Sequence, residues 1–262
     1  GFLWIAYLNG LAKFDGIRFE NVSLPLPPER EYAVRKMLQT SGDRFWLALD
    51  GGIVISIAPG KTNIFTAADG LSIGRPISVV ETRDGAVWIG YSDGIACRIV
   101  GQKVTRFGER EGLTPKSNCR LATDSEGQLW FAQIGGRVGV WRNERFQEIL
   151  SIPGKHVRLG PARSDGIWIC ADTKIFSYRE GGPLVERAQL PIDISTAAPE
   201  ITLEDRSGTL WVGTFGGGLF RCEGSNVESV DISHGTVLSL FEDREGSIWV
   251  GTAGGGLNRV RP

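Results

Sequence analysis

An excess of charge of either sign is missing from this sequence. Its 29 basic side chains face 30 acidic ones, for a net charge of -1, and its pI is near 6.2. With no basic cluster along the chain, nothing draws it to a phosphate backbone or an anionic lipid surface. Long apolar runs are absent too, since no stretch approaches the roughly 18 to 20 residues that a membrane-spanning helix needs. Nucleic acid and membrane contact by this chain are therefore not expected. Metal chemistry is thinly provided. The two histidines, His156 and His234, sit in neither a His-x-His nor a His-x-Glu arrangement. The four cysteines, Cys97, Cys119, Cys170 and Cys222, contain no Cys-x-x-Cys pair, so no metal site and no cofactor are expected. An initiator Met and a cleavage motif are also lacking. The chain opens at Gly1 inside the apolar segment Phe2-Leu3-Trp4-Ile5, which reads as a fragment of something longer.

Glycine, by contrast, is abundant: 36 of 262 residues, about double the usual ~7%. Seven of the eight tryptophans, Trp4, Trp46, Trp88, Trp130, Trp168, Trp211 and Trp249, recur with a period of about 41, a length that marks repeat architectures. Their flanks repeat with them. Asp243-Arg-Glu-Gly246-Ser-Ile-Trp249-Val-Gly-Thr, Asp205-Arg-Ser-Gly208-Thr-Leu-Trp211-Val-Gly-Thr and Asp124-Ser-Glu-Gly127-Gln-Leu-Trp130-Phe-Ala share one pattern, with Asp84-Gly85 and Asp165-Gly166 as worn copies. In the Asp-x-x-Gly segment the carboxylate can accept backbone N–H bonds while glycine supplies positive φ, which makes it a turn.

Each unit reads as four short strands. In the third copy they are Ile77 to Thr82, Val87 to Tyr91, Ile95 to Val100 and Lys103 to Phe107, lengths that suit strands and not helices. Gly-rich hairpin turns join the second strand to the third: Asn9-Gly10, Asp50-Gly51-Gly52, Asp93-Gly94, Gly135-Gly136, Gly216 to Gly218 and Gly254 to Gly256. Only Asp172-Thr173-Lys174 in the fifth copy lacks glycine. These turns lead into strands and not into a helix N-terminus, so the phosphate-binding mechanism is absent. Four antiparallel strands per repeat describe an all-β fold, a seven-bladed β-propeller occupying 1–262 as one domain. The first strand of each blade is expected to be covered on both faces. The strand count predicts that the first blade lacks its first strand and the last blade its fourth.

The motif Glu-Asp-x-x-Gly-x-[Leu/Ile]-Trp-[Ile/Val]-Gly-Thr followed by Gly-Gly-Leu-x-Arg, carried by Glu204 to Arg221 and Glu242 to Arg259, resembles the two-component regulator propeller repeats of bacterial signalling receptors. Gly1 to Phe19 resembles the opening blade of such arrays, and Asp69-Gly-Leu71 and Glu111-Gly-Leu113 resemble their inter-blade loops. The resemblance implies a periplasmic, non-catalytic sensor region, joined in the whole receptor to a second propeller or a β-sandwich, a transmembrane helix and a histidine kinase or another output domain. It also implies an oligosaccharide or other small-molecule signal. A homodimer is a further expectation, because ligand binding would be read as a rearrangement against a partner.

Two enzymatic readings compete. The Asp turns look like the Asp-box of sialidase propellers, but that box carries no catalytic group. Trp130-Phe131-Ala-Gln-Ile134-Gly resembles a blade of the streptogramin lyases, which use histidine as general base beside a divalent cation. Here His156 and His234 fall in different repeats without a partner to tune them. A protein-binding scaffold is the third alternative, and it would show a continuous exposed apolar or charged patch on one face. The recurring tryptophans read as packing elements, Trp141, outside the register, as core or inter-blade packing, and the cysteines as buried free thiols. The basic residues ending the third strands, Lys13, Arg98, Arg142, Arg221 and Arg259, read as a solvated edge. Propeller topology brings the hairpin turns and the blade-entry loops to one face. The candidate ligand contacts are thus Tyr91, Asp93, Gln133, Lys174 and Phe215 from hairpin turns, and Arg75, Arg158 and His234 from entry loops.

Overall fold

The computed structural model describes residues 2–7, 10–27, 32–42, 44–164 and 166–261. Among them the chain forms seven successive antiparallel sheets, the blades of a seven-bladed β-propeller. Five have four strands in sequence order, and the first and last have three. The strands of the third blade are Pro76–Glu81, Val87–Tyr91, Ala96–Val100 and Lys103–Phe107, within a residue of the expected bounds. The first blade, Leu3–Tyr7, Gly10–Phe14 and Phe19–Val22, pairs as second, third and fourth strands. The last, Val237–Glu242, Ile248–Thr252 and Leu257–Val260, pairs as first, second and third. The only helical elements among the described residues are two single 3-10 turns, Ala67–Asp69 and Glu109–Glu111. They occupy the inter-blade loops, and each is closed by a glycine in the left-handed region, Gly70 and Gly112.

The chain divides into two compact units, 1–121 and 122–262. In the first, one core cluster joins Trp46, Phe65 and Leu71 to Ile89, Tyr91 and Cys97, and another joins Leu11 to Val34, Leu47 and Ile55. In the second, Trp130, Val138 and Val140 pack with Val157, Ile167 and Tyr178, and Trp211 and Leu219 pack with Val237, Ile248 and Val250. In each case neighbouring blades share a layer of side chains.

Every repeat tryptophan lies on the second strand of its sheet. In the six blades that have a first strand, the second strands are the most buried: Val87–Tyr91 and Leu129–Gln133 are buried at every position. The first strands are not, contrary to the expectation that both their faces are covered. Pro76–Glu81 is half-buried after its first residue, and Val237–Glu242 exposes Leu238, Ser239 and Phe241. The second strand is flanked by paired strands on both edges, whereas the first has a paired strand on one edge only and carries Ser78, Thr202, Ser239 and the terminal glutamates.

The glycine of the Trp-[Ile/Val]-Gly signature has a steric cause. A Cβ on Gly90 would lie 2.0 Å from the Cys119 carbonyl oxygen, and one on Gly213 would lie 2.5 Å from Val237 Cγ1. The next blade's chain crosses at these points. In the fifth blade, where the hairpin lacks glycine, Asp172 itself takes φ 51, a conformation aspartate tolerates better than most residues. All four cysteines are free and buried. Asn9 of the first hairpin and Asp165 of the fifth turn lie outside the described residues.

Candidate functional site

The Asp-x-x-Gly-x-x-Trp motif is a clamp. One Asp243 carboxylate oxygen accepts the backbone N–H groups of Glu245 and Ser247, and the other accepts the indole Nε1–H of Trp249 at 2.8 Å. Asp205 does the same for Ser207, Thr209 and Trp211, and Asp124 for Glu126, Gln128 and Trp130. Burial opposes ionisation of Asp205, but the bonds from Ser207, Trp211 and Thr209 outweigh it and hold its carboxyl below the usual range. In each of these turns both carboxylate oxygens of the aspartate are engaged in closing it.

The glutamate seven residues before the tryptophan latches one blade to the one before it. Glu81 accepts the Ser41 amide, Glu204 the Arg163 amide, and Glu242 the Arg206 amide. Glu204 also accepts the Trp168 indole N–H at 2.7 Å. Glu242, 5% exposed at its side chain, pairs with Arg163 and Arg206 together. The third-strand basic residues are not a bare solvated edge. Lys13 pairs with Glu20, Arg98 with Asp84, Arg142 with Glu180, Arg221 with Glu223, and Arg259 with Asp243 and Glu245. Arg98 and Arg259 also lie over the Trp88 and Trp249 rings. A cavity of about 230 Å³ opens on this turn side, lined by Thr40, Ser41, Arg44, Trp46, Glu81 and Val87. Trp141 packs on the outer strand of its own blade, 4.8 Å from Phe146.

The hairpin turns between second and third strands interlock with the entry loops, as the topology predicts. The Ser92 amide donates to the Arg75 carbonyl, the Lys116 amide to Asp93, the Ile152 amide to Gly136, the Asp172 amide to His156, and the Gly218 amide to Gly235. The eight candidate residues meet differing fates on this side. Asp93 lies in its turn, but its carboxylate accepts the Ser72 hydroxyl and the Ile95 amide, stapling the inter-blade loop. Arg75 and His234 are exposed in entry loops. His234 Nδ1 accepts the Thr236 amide at 3.0 Å, so the neutral ring carries its proton on Nε2 and presents a donor outward.

Four placements differ from the expectation, because strand pairing runs further toward the turns and entry loops than the pattern suggests. Tyr91 and Gln133 end their second strands and are 1% and 3% exposed. Tyr91 belongs to the core cluster, and burial pushes its phenol up. Gln133 accepts from Arg137 at 3.1 Å. Lys174 opens a third strand and pairs with Glu186 at 2.8 Å. Arg158 is not in an entry loop; it lies on the first strand Val157–Pro161, with 11% of its side chain exposed, and donates through Nε and Nη2 to Glu200. Phe215 ends its strand and is 61% exposed. Tyr91, Asp93 and Arg75 belong to unit 1–121 and the other five to unit 122–262.

Sequence reasoning missed one feature of this side. Four first strands carry a β-bulge near their start, so that the pairing passes over Arg35, Ile77, Glu200 and Leu238. A bulge re-aims a side chain and recurs beside functional sites. Arg35 turns to Asp50 of its own hairpin, Glu200 receives Arg158, and Leu238 is 49% exposed. No residue type or spacing in the sequence signals these bulges.

Comparison with known proteins bears on the repeat directly. The family described as Two component regulator propeller matches residues 231–254, the segment that carries the Asp243–Trp249 clamp. Residues 231–254 are thus a two-component regulator propeller repeat. No curated protein matches the chain in sequence. Among solved structures, this propeller is similar to the extracellular domains of the hybrid two-component systems BT4673 and BT3049 from B. thetaiotaomicron, with 16% and 17% identity and TM-scores of 0.79 and 0.75. It covers all but a trace of itself in both, 100% and 99%, but only 36% and 38% of those chains. It is equally similar in fold to virginiamycin B lyase from Staphylococcus aureus, at 17% identity and TM-score 0.82, covering 99% of this chain and 90% of that one. At such identities the likeness is one of fold. Among the described residues no helix is long and apolar enough to cross a membrane.

Proposed function

We propose that this propeller is a non-catalytic ligand-sensing and interaction region of a bacterial two-component receptor, working outside the cytoplasm. The observation that carries the reading is the family match at residues 231–254, repeated as motif in Glu204 to Arg221 and supported by the likeness to extracellular domains of hybrid two-component systems. The interlocked hairpin and entry loops are the contact side, and their ligand is an oligosaccharide or another small molecule, or a protein segment. Binding would bias the arrangement of this region against its neighbours or a second copy, a population shift that an output domain can read.

Thermal-shift measurement against a glycan panel, with and without EDTA, tests the reading. A ligand at about 100 times its Kd stabilises by roughly 2.7 kcal/mol, a rise of about 5 to 10 °C for a chain of this size. Stabilisation that EDTA leaves intact supports a sensor.

The second reading, a streptogramin-lyase-like enzyme, is favoured by the coverage of virginiamycin B lyase. Against it, the Nδ1 of His234 is occupied by the Thr236 amide and is not available as a base. A metal-dependent cleavage of quinupristin-type substrate, abolished by His156→Ala or His234→Ala, would decide for the enzyme.

A further inference from the structure

In three blades the residue six before the repeat tryptophan is the aspartate that accepts its indole N–H: Asp124 for Trp130, Asp205 for Trp211 and Asp243 for Trp249. In the fifth blade Ala162 holds that place, and Glu204 of the next blade accepts the Trp168 indole instead. The second blade has neither arrangement. Thr40 stands six residues before Trp46, and its hydroxyl is turned to the Arg44 carbonyl at 3.2 Å. Glu81, which corresponds in position to Glu204, is taken up by the Ser41 amide and hydroxyl at 3.0 and 3.2 Å. Trp46 is only 4% exposed, yet no described residue accepts its indole N–H. A buried donor is costly to leave without an acceptor.

The cavity of about 230 Å³ opens at this point, with Thr40, Ser41, Gly42, Arg44, Trp46 and Glu81 in its wall. In the clamped blades the aspartate gathers donors from the tryptophan and from the residues two and four after itself. Their counterparts here are Trp46, Gly42 and Arg44, and all three line the cavity. The half-buried Arg44 side chain forms no ion pair with a described residue. Asp43 lies outside the described residues.

We propose that this cavity binds a small carboxylate anion, whose oxygens stand in for the aspartate that the second blade lacks. The anion accepts the Trp46 indole N–H and the turn amides, and Arg44 supplies the opposite charge. Hydrogen bonds to an ionised carboxylate are roughly twice as strong as neutral ones. The volume lies below the roughly 300 to 1,000 Å³ of sites for drug-sized molecules, which limits the ligand to acids of a few carbons. Glu81 opposes an anion, but both its oxygens already hold Ser41 donors. The site is on the turn side, so it stands or falls separately from the contact side proposed above.

The test is titration of the isotope-labelled full chain with sodium acetate, against sodium chloride at equal ionic strength, read at the tryptophan indole N–H resonances by NMR. The Trp46 signal is assigned through Trp46→Phe. Acetate is expected to move that signal downfield and saturably, while the clamped indoles of Trp130, Trp211 and Trp249 stay in place. Arg44→Gln should raise the acetate Kd at least about fivefold. Thr40→Asp, which supplies the carboxylate covalently, should raise Tm and abolish the acetate response. The melting temperature of each variant checks its folding. An unmoved Trp46 signal, as when Glu81 or Asp43 already fills the place, would overturn the proposal. So would a shift that chloride reproduces, one that does not saturate, or one that Arg44→Gln and Thr40→Asp leave unchanged.

Discussion

Replacing Asp205 should be among the most costly single changes in the chain. Its carboxylate, 2% exposed, accepts the Ser207 amide, the Ser207 hydroxyl, the Thr209 amide at 3.0 Å and the Trp211 indole N–H at 2.7 Å. In Asp205→Ala the Trp211 and Thr209 donors remain buried without an acceptor, at about 1 to 3 kcal/mol each. The expected loss is therefore ~4 kcal/mol, a fall of roughly 10 °C in Tm by calorimetry. Asp205→Asn is the sharper variant. Asparagine preserves size but turns one oxygen into a donor, which must face either the indole N–H or the backbone amides, so its cost should approach that of alanine. Asp15→Ala is the control, because Asp15 closes an exposed turn through the Ile17 and Arg18 amides and should shift Tm far less. If Asp205→Asn melts within about 1 kcal/mol of the parent, the clamp does not hold the blade in the way its geometry implies.

Acid should undo the clamps. Burial works against the ionised form of Asp84, Asp205 and Asp243, yet hydrogen bonds from the turn and pairing with Arg98 or Arg259 leave all three below the usual range. Their stabilisation is present above the unfolded value near 3.9 and is lost as pH falls through the lower folded values. Tm measured between pH 7 and 2 should drop mainly below about pH 4, and a drop centred near pH 6 would contradict this. Gly90→Ala should cost about 2 to 3 kcal/mol, because its methyl meets the Cys119 backbone at 2.0 Å; urea unfolding with an unchanged midpoint would refute the close crossing. Burial pushes the Cys97 thiol up to about 11 and those of Cys170 and Cys222 up to about 12. A thiol reagent at pH 8 should label the native protein slowly and the unfolded chain fully, and rapid native labelling would refute their burial. Glu242→Gln should lower Tm more than Glu228→Gln, because Glu242 holds Arg163, Arg206 and the Arg206 amide whereas Glu228 lies on an outer strand, bonded to Asn226.

Much of the fold is local, and so it is legible in the order of residues. The Asp turn, the tryptophan it clamps and the glycine hairpins all close within about ten residues. Repetition of that short pattern announces the blades and their number, and strand bounds in the third copy differ from expectation by a residue at most. Even the worn fifth copy keeps its hairpin, with Asp172 standing in the left-handed region for the missing glycine.

What tertiary structure alone decided are the contacts between repeats and the exposure of each side chain. Glu81, Glu204 and Glu242 are one more repeated letter in the sequence until they are found holding the preceding blade some 40 residues away. Tyr91 and Asp93 stand two residues apart near one hairpin, yet one is core and the other a staple. Arg158 and Glu200 become a pair, and Leu238 becomes exposed, only through strand neighbours and bulges set by the packing of successive blades. The physical reason is range: hydrogen bonds within a turn depend on adjacent residues, whereas burial and ion pairing depend on which distant segment arrives alongside.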